Sequence, residues 1–241
     1  MINKQVPSLV EAVADIFDGA TVMIGGFGEA GSPIELIHAL IDRYQQTGSP
    51  KNLTVINNNA GNGRIGIAAM IDAGMVAKMV CSFPRSVDPR AFTEAYTEGR
   101  VALELVPQGT LAERIRAAGA GIPAFYTPTS YGTELAEGKH VEEFDGKHYV
   151  RERWLKADVA IVKGELGDTH GNLTYRLAGR NFNPLMCMAA DTTIAQVSTL
   201  GAPGSIDPEQ VHTPGLFVDG VVEVPDPAQE EALFRAGEVK V

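Results

Sequence analysis

The chain has 241 residues, of which 44% are hydrophobic, and it carries a formal charge of −10 at pH 7. A hydrophobic fraction of this size can bury the core of one large domain or of two small ones. The negative charge, the lack of a Lys/Arg cluster and the single Trp argue against a nucleic-acid or anionic-membrane surface, and they favour small molecules or proteins as partners.

Cysteine use and the start of the chain predict a cytoplasmic protein. Only Cys81 and Cys187 occur, and the first six residues include three polar ones where a secretory leader would be basic and then apolar. No apolar run approaches the roughly 20 residues of a membrane span. We therefore expect reduced thiols and no membrane segment.

The first half of the chain alternates short apolar runs with helical patterns. In chain order these are TVMIGGF, IELIHALIDRYQQ, LTVIN, IGIAAMIDAG, KMVCSF, a charged helix and VALELV. Alternation of strands and helices favours an α/β fold with an open, largely parallel sheet and flanking helices. Ligand sites in such folds lie at the carboxyl ends of the strands.

The second half is richer in strands. Its candidate strands are PAFYTP, KHYVRERW, DVAIVKGE, GNLTYR and TTIAQVS, and EGKHVEEFDGKH and GDTHGN separate them as hairpin or turn signals. We expect a mixed sheet in this half. The whole chain, residues 1–241, is predicted to be a single domain with a flexible tail at about 225–241.

A glycine-rich turn follows the first strand, with glycines at positions 26, 28 and 31. This spacing is typical of dinucleotide-binding turns, which also need an acid about 20 residues further on. No acidic residue occurs from Arg43 to Ile71, so the nicotinamide interpretation fails its second requirement. Bare backbone amides in such a turn can hold a phosphate, a carboxylate or an oxyanion, and the alternative is a tight turn that only lets the helix pack closely.

Two capping boxes are predicted from sequence spacing. Ser32 and Glu35 enclose Pro33 at the first helical position after the glycine turn, and Thr110 and Glu113 follow Gln108 at the start of a later helix.

Neutral amide side chains follow two other strands. Asn57, Asn58 and Asn59 follow LTVI, and Gln108 follows VALELV. Side-chain amides can donate hydrogen bonds to a carbonyl or carboxylate without adding a charge, which suits an acyl group, although Asn and Gln also simply form turns. The predicted acyl-site residues are Gly26, Phe27, Gly28, Asn58, Asn59 and Gln108.

Other reactive side chains have ordinary interpretations. Asp168 and His170 in GDTHGN match no metal-ligand spacing and predict a turn, so no metal and no cofactor is expected. Both cysteines follow apolar stretches and are expected to be buried. Arg176 and Arg180 can approach the phosphates of a ligand or a subunit interface, or can simply be solvated.

Longer motifs resemble those of the two-component acetate/3-oxoacid CoA-transferases over nearly the whole chain, up to about Val224. They are DGATVMIGGFGEAGSP, NNAG, VPQGTLAERIRAAGAGIPAFYTPTSYGT and AGRNFN, in the order of the family's A-type subunit. The stretches NNAGNG and CSFPR are most similar to members that use 3-oxoadipate rather than acetoacetate.

The resemblance implies an open α/β fold of the CoA-transferase and ribose-phosphate-isomerase kind, and a ping-pong transfer of CoA from succinyl-CoA to a 3-oxo acid. In that family a glutamate of the B-type subunit forms an acyl anhydride and then a thioester with CoA. The chain carries no motif resembling the one that bears this glutamate. The implied partner is therefore the B-type subunit, in an A₂B₂ heterotetramer, and CoA is a substrate rather than a cofactor.

Two further residues follow from the resemblance. Arg85, in CSFPRSVDP, is expected at the same sheet edge, where it can bind the second carboxylate of succinate or 3-oxoadipate; the alternative is an exposed arginine, or one paired with Asp88 or with the B-type subunit. Glu29 lies inside the glycine turn, and we interpret it as a solvent-facing or interface carboxylate rather than the nucleophile.

Two other functions stay open at this point. One is a CoA-transferase subunit specific for acetoacetate or a short-chain acid, and the other is an autonomous sugar-phosphate-binding or isomerase-like domain that uses the glycine turn for phosphate.

Overall fold

A parallel sheet with helices on both sides positions every loop discussed below. The computed structural model describes residues 2–28 and 30–235. The strands are β1 (Thr21–Ile24), β2 (Leu53–Ile56), β3 (Val76–Cys81), β4 (Ala102–Leu105), β5 (Ala124–Thr127), β6 (Val141–Phe144), β7 (Lys147–Arg153), β8 (Ala157–Asp168), β9 (Ala190–Gly201) and β10 (Gly220–Glu223). The helices are α1 (Leu9–Ala12), α2 (Ile34–Thr47), α3 (Ile67–Asp72), α4 (Arg90–Thr97), α5 (Gln108–Gly119), α6 (Asn183–Ala189) and α7 (Ala228–Arg235).

The main sheet has seven strands in the order β10-β9-β8-β1-β2-β3-β4, and all its pairs are parallel. The chain adds strands in one direction from β1 to β4 and in the other from β8 to β10. The order therefore reverses between β1 and β8, which is where ligands bind in open parallel sheets. The predicted parallel α/β architecture is confirmed.

Each face of this sheet has its own apolar core. One core packs α1 to α4 on β1, β2 and β3, with buried residues such as Leu36 and Met79, and the other packs α5 and α6 on the opposite face, with Leu111 and Met186. Burial on both faces explains why the strands are almost continuously apolar rather than alternating.

A second, antiparallel sheet has the order β5-β7-β6. We expected one mixed sheet in the second half, but its strands are divided between two sheets, because β8, β9 and β10 join the parallel sheet. The predicted hairpin is confirmed at Asp145 and Gly146, whose φ angles of 53° and 75° suit a tight turn between β6 and β7. The strand expected at GNLTYR was wrong, since this segment forms only isolated bridges at Leu173.

The capping box predicted for α2 was wrong. The helix begins at Ile34 after Pro33, and no side chain caps it. Glu35 is buried and turns away from its own helix: its Oε1 accepts hydrogen bonds from the backbone N–H groups of Gln229 and Glu230, at 2.7 and 3.1 Å. The carboxylate therefore caps the N-terminus of α7.

The second capping box was also wrong, because α5 begins three residues earlier than predicted, at Gln108. Thr110 therefore lies inside the first turn, where its buried hydroxyl has no partner among the described residues. Glu113 pairs with Arg116 one turn later, at 2.7 Å.

The last part of the chain contains α7 within the predicted tail of about 225–241, and residues 236–241 lie outside the described residues. The flexibility of this tail and the single-domain assignment stay predictions. None of the described helices is both long enough and apolar enough to span a bilayer.

Candidate functional site

A cleft of about 1340 Å³ opens at the carboxyl ends of the central strands. It lies where the strand order reverses, between the loop after β1 and the second half of β8. Much of its rim is apolar, since Phe27, Phe83, Val87 and Leu177 all line it with exposed side chains. Its polar and charged lining residues are Asn58, Asn59, Asn62, Ser82, Ser86, Asp88, Gln108, Lys163, Glu165, Arg176 and Glu230.

Asn58 joins three strand ends within the cleft. Its Oδ1 accepts hydrogen bonds from Gln108 Nε2 and from Ser82 Oγ, both at 3.0 Å, and its backbone carbonyl accepts from the N–H groups of Ser82 and Phe83. With Oδ1 occupied, the amide is oriented and Asn58 Nδ2 has no partner among the described residues. The arrangement leaves one neutral donor available to a bound carbonyl or carboxylate.

The two neighbouring asparagines shape the loop that carries Asn58. Asn57 Nδ2 donates to Ile24 O at 2.6 Å and so ties this loop to β1, and Asn57 Oδ1 accepts from Asn59 N. Asn59 Oδ1 in turn accepts from Gly61 N at 2.7 Å. Both residues thus form turns, and Asn59 also lines the cleft.

The glycine loop, residues 25–31, uses some of its amides internally. Phe27 N donates to Ala30 O and Ala30 N donates to Phe27 O, at 3.1 and 3.2 Å. Within the part of the chain that the structure describes, the amides of Gly28 and Gly31 have no partner, and both residues line the cleft. The described part of the loop thus offers these two backbone donors to a ligand in the cleft.

Two asparagines clamp the glycine loop to the loop of residues 176–182. Asn183 Nδ2 donates to Gly31 O at 3.1 Å and to Gly179 O at 2.8 Å, and the Asn183 side chain is fully buried. Asn181 Nδ2 makes the corresponding bridge near the surface, to Ala30 O at 2.9 Å and Ala178 O at 2.7 Å. Both loops line the cleft, so this asparagine clamp holds two parts of its lining together.

Lys163 and Glu230 form an ion pair within the cleft. Lys163 Nζ lies 2.5 Å from both carboxylate oxygens of Glu230, and the two side chains are only 20% and 15% exposed. The other lining cation, Arg176, is exposed and has no ion-pair partner among the described residues.

The lining carboxylates differ in their partners. Asp88 accepts two hydrogen bonds from the Arg90 guanidinium, which lowers the pKa of Asp88 to about 2. The Glu165 carboxylate has no hydrogen-bonding or ion-pair partner among the described residues, although its backbone N–H donates to Thr174 O. Asp88 is therefore ionised and occupied by Arg90.

The thiols and the candidate metal ligands do not contribute to the cleft. Burial raises the pKa of both Cys81 and Cys187 to about 12, so each thiol stays protonated near neutral pH. Asp168 accepts from the backbone N–H groups of His170 and Asn172, which confirms the predicted turn. That no metal or cofactor is needed stays a prediction.

The structure brings together most of the residues predicted for the acyl site. Phe27, Gly28, Asn58, Asn59 and Gln108 all line the cleft. Gly26, in the same loop as Phe27 and Gly28, is buried and does not line the cleft.

Arg85 is exposed in the loop between β3 and α4 and does not line the cleft, although its neighbours Ser86 and Val87 do. It does not pair with Asp88, whose partner is Arg90. The predicted roles of these residues stay predictions, and Glu29 lies outside the described residues.

Sequence reasoning missed Lys163, Glu165, Glu230 and Ser82 as lining residues, and it left Arg176 undecided. A signal existed for Lys163, because a charged residue interrupts the apolar run of DVAIV. No local pattern connects position 230 to this strand.

The sequence is similar to those of known CoA-transferases. Residues 6–224 match the family model described as Coenzyme A transferase. The chain is 57% identical to the A-type subunit of 3-oxoadipate CoA-transferase from Pseudomonas putida over 224 residues, covering 93% of this chain and 95% of that one. It is 46% identical to the A-type subunit of succinyl-CoA:3-ketoacid coenzyme A transferase from Xanthomonas campestris pv. campestris (strain B100), covering 92% and 90%.

The fold is similar to that of a solved acyl-CoA transferase from Escherichia coli O157:H7, in a thioester complex with CoA. The TM-score is 0.81 with 25% sequence identity, and the match covers 94% of this chain. The chain spans 48% of the length of that protein, about half.

Proposed function

Because this chain belongs to the coenzyme A transferase family, we propose that it is the A-type subunit of a two-component enzyme that transfers CoA from succinyl-CoA to 3-oxoadipate. The observation that supports this most is the 57% identity to the A-type subunit of a 3-oxoadipate CoA-transferase over nearly the full length of both chains. The relatives' designation as A-type subunits supports the existence of a partner chain. We propose that this partner is the B-type subunit in a cytoplasmic A₂B₂ heterotetramer.

The cleft suits one half of this reaction. Asn58 Nδ2 and the free amides of the glycine loop are neutral donors, which can hold an acyl carbonyl as negative charge develops on its oxygen. The apolar rim suits the uncharged part of an acyl thioester. The B-type subunit would supply the glutamate that carries CoA as a thioester between donor and acceptor.

The test compares the purified chain alone with the same chain mixed with its B-type subunit. We expect no CoA ester exchange from the chain alone, and formation of 3-oxoadipyl-CoA from succinyl-CoA on mixing, measured by chromatography of the CoA esters. Full-rate transfer by the isolated chain would contradict the divided active site.

Two further results of the assay separate the alternatives. Equal kcat/KM values for acetoacetate and 3-oxoadipate in the complex would contradict the choice of acceptor. Sugar-phosphate isomerisation by the isolated chain would favour the isomerase-like alternative, which the family match argues against.

A further inference from the structure

Among the described residues, Lys163 is the only cation lining the cleft that already has a carboxylate bound to it. Its ammonium group contacts both oxygens of the Glu230 carboxylate, whereas Arg176, the other cation that lines the cleft, is exposed and has no ion-pair partner among the described residues. The site that Glu230 occupies therefore accepts a carboxylate in size, charge and hydrogen bonding.

The position of Lys163 relative to the amides fits a short dicarboxylic acid. In the sheet register Met23 of β1 pairs with both Ile56 of β2 and Ala160 of β8, so the end of β2 that leads to the asparagines lies two strands away from the part of β8 that leads to Lys163. Two strand spacings amount to about 10 Å. An extended 3-oxoadipyl chain spans about 6 Å from its thioester carbon to its distal carboxylate. The long lysine side chain bridges the remainder.

Glu230 reaches this position on a helix outside the family model. The model match ends at residue 224, whereas α7 covers Ala228–Arg235. The start of α7 is fixed by Glu35, whose carboxylate accepts hydrogen bonds from the N–H groups of Gln229 and Glu230. The chain thus holds a carboxylate of its own in the cleft.

We propose that Lys163 binds the distal carboxylate of dicarboxylic acyl substrates and that Glu230 on α7 occupies this position until the substrate displaces it. The proposal rests on the proposed function, and it deepens it by assigning the residue that selects dicarboxylic over monocarboxylic acids. It competes with the sequence-based prediction that Arg85 performs this role. Arg85 does not line the cleft, whereas Lys163 does.

The first test changes Lys163 in the complex with the B-type subunit. We expect Lys163→Met to raise KM at least tenfold for 3-oxoadipate but less than threefold for acetoacetate, with succinyl-CoA saturating, because only the former has a distal carboxylate. Lys163→Arg should retain part of the preference. Lys147→Met, at an exposed lysine outside the cleft, is the matched control and should change neither value.

The second test changes Glu230 while leaving α7 attached. Glu230→Gln removes the charge and keeps the backbone N–H that Glu35 binds, so the helix stays capped. We expect KM for 3-oxoadipate to fall threefold to tenfold with kcat unchanged, since the substrate no longer competes with a bound carboxylate. Glu137→Gln, at an exposed glutamate outside the cleft, should have no effect.

Several outcomes would overturn the inference without touching the proposed function. In an active wild-type complex, an equal loss for both acceptors in Lys163→Met, a selective loss in Arg85→Ala instead, or an unchanged KM in Glu230→Gln would each do so. A raised KM for acetoacetyl-CoA, whose acyl group has no carboxylate, would assign Lys163 to the CoA phosphates. A wild-type complex that transfers CoA to no 3-oxo acid would instead contradict the proposed function.

Discussion

Replacing Asn183 with Ala tests whether the asparagine clamp holds the cleft together. The side chain is fully buried at the start of α6, and it bridges the carbonyls of Gly31 and Gly179. Its Oδ1 also accepts a longer hydrogen bond from Lys163 N, at 3.4 Å. It packs so closely on Gly25 that a Cβ there would lie 1.7 Å from Asn183 Oδ1. The substitution therefore removes contacts that join α6 to β8 and to both cleft loops.

The expected loss follows from these three hydrogen bonds. A typical hydrogen bond contributes about 0.5–1.5 kcal/mol to stability, and leaving a buried partner unsatisfied costs about 1–3 kcal/mol. Gly31 and Gly179 are only partly buried, so water can replace some of the lost contacts. We therefore expect Asn183→Ala to lower the free energy of unfolding by about 2–4 kcal/mol. For a chain of this length that corresponds to a Tm lower by roughly 5–15 °C.

Asn181 provides the matched control. It makes an equivalent bridge between the same loops, to Ala30 O and Ala178 O, but at the surface. Because water can take over exposed hydrogen bonds, Asn181→Ala should cost less than about 1 kcal/mol. Thermal and urea unfolding of both variants, followed by circular dichroism, measures the difference, and kcat/KM of the reconstituted complex reports on the cleft.

Equal losses of stability in the two variants would contradict the prediction, since burial would then not decide the cost. A Tm of Asn183→Ala within about 2 °C of the wild type would also contradict it, because each kcal/mol should move Tm by roughly 2–4 °C. Lost stability with normal kcat/KM would show that the clamp supports the fold but does not set the width of the cleft.

Three further predictions concern single residues in and near the cleft. Gln108→Ala should lower kcat/KM about tenfold, because the amide that its Nε2 orients across the cleft is released; an unchanged value in steady-state assays would return Gln108 to a turn-forming role. Gly31→Ala should destabilise the protein more than Gly28→Ala, as measured by urea unfolding. Both glycines have a positive φ, but only at Gly31 would a Cβ meet a backbone carbonyl, that of Gly179, at 2.3 Å. Equal losses in the two variants would contradict the close approach of the two loops. Burial lowers the pKa of His38 below its usual value of about 6.5, so the unfolded chain binds a proton more readily than the folded chain. The free energy of unfolding should therefore decrease as the pH falls below about 6.5. In unfolding measurements between pH 7.5 and 5.5, His38→Gln should make this decrease smaller.

The parallel fold was predictable from the sequence because each strand is buried on both faces. Apolar runs such as those of β1 and β8 alternate with amphipathic helices, and this pattern alone requires helices on either side of a sheet. The helix starts were less predictable. Ser32 and Thr110 each have a glutamate three residues later, as a capping box requires, but both helices begin at other residues. The buried carboxylate of Glu35 instead binds the backbone N–H of Gln229, far away in the sequence.

The site residues that follow strand ends were predictable from the sequence, whereas those that reach the cleft through tertiary contacts were not. Gly28, Asn58 and Gln108 each lie within four residues of the end of a strand, so the strand-end rule places them at one edge. Glu230 enters the cleft from a helix that sits beside β8 only after folding. No periodicity or spacing in the sequence carries that information.

The neutral amides and the ammonium group in the cleft differ in how their hydrogen bonds can be satisfied without a substrate. Neutral amides can satisfy one another, as Gln108 does with Asn58, and they can rearrange around a substrate without a change of charge. A partly buried ammonium group cannot, because a charge removed from water and left without a counter-ion is costly. Lys163 therefore needs a carboxylate whether or not a substrate is bound, and Glu230 supplies one within the chain. Helix α7 therefore contributes to the specificity of the cleft through Glu230, and a change to either Lys163 or Glu230 should alter the preference for dicarboxylic acids.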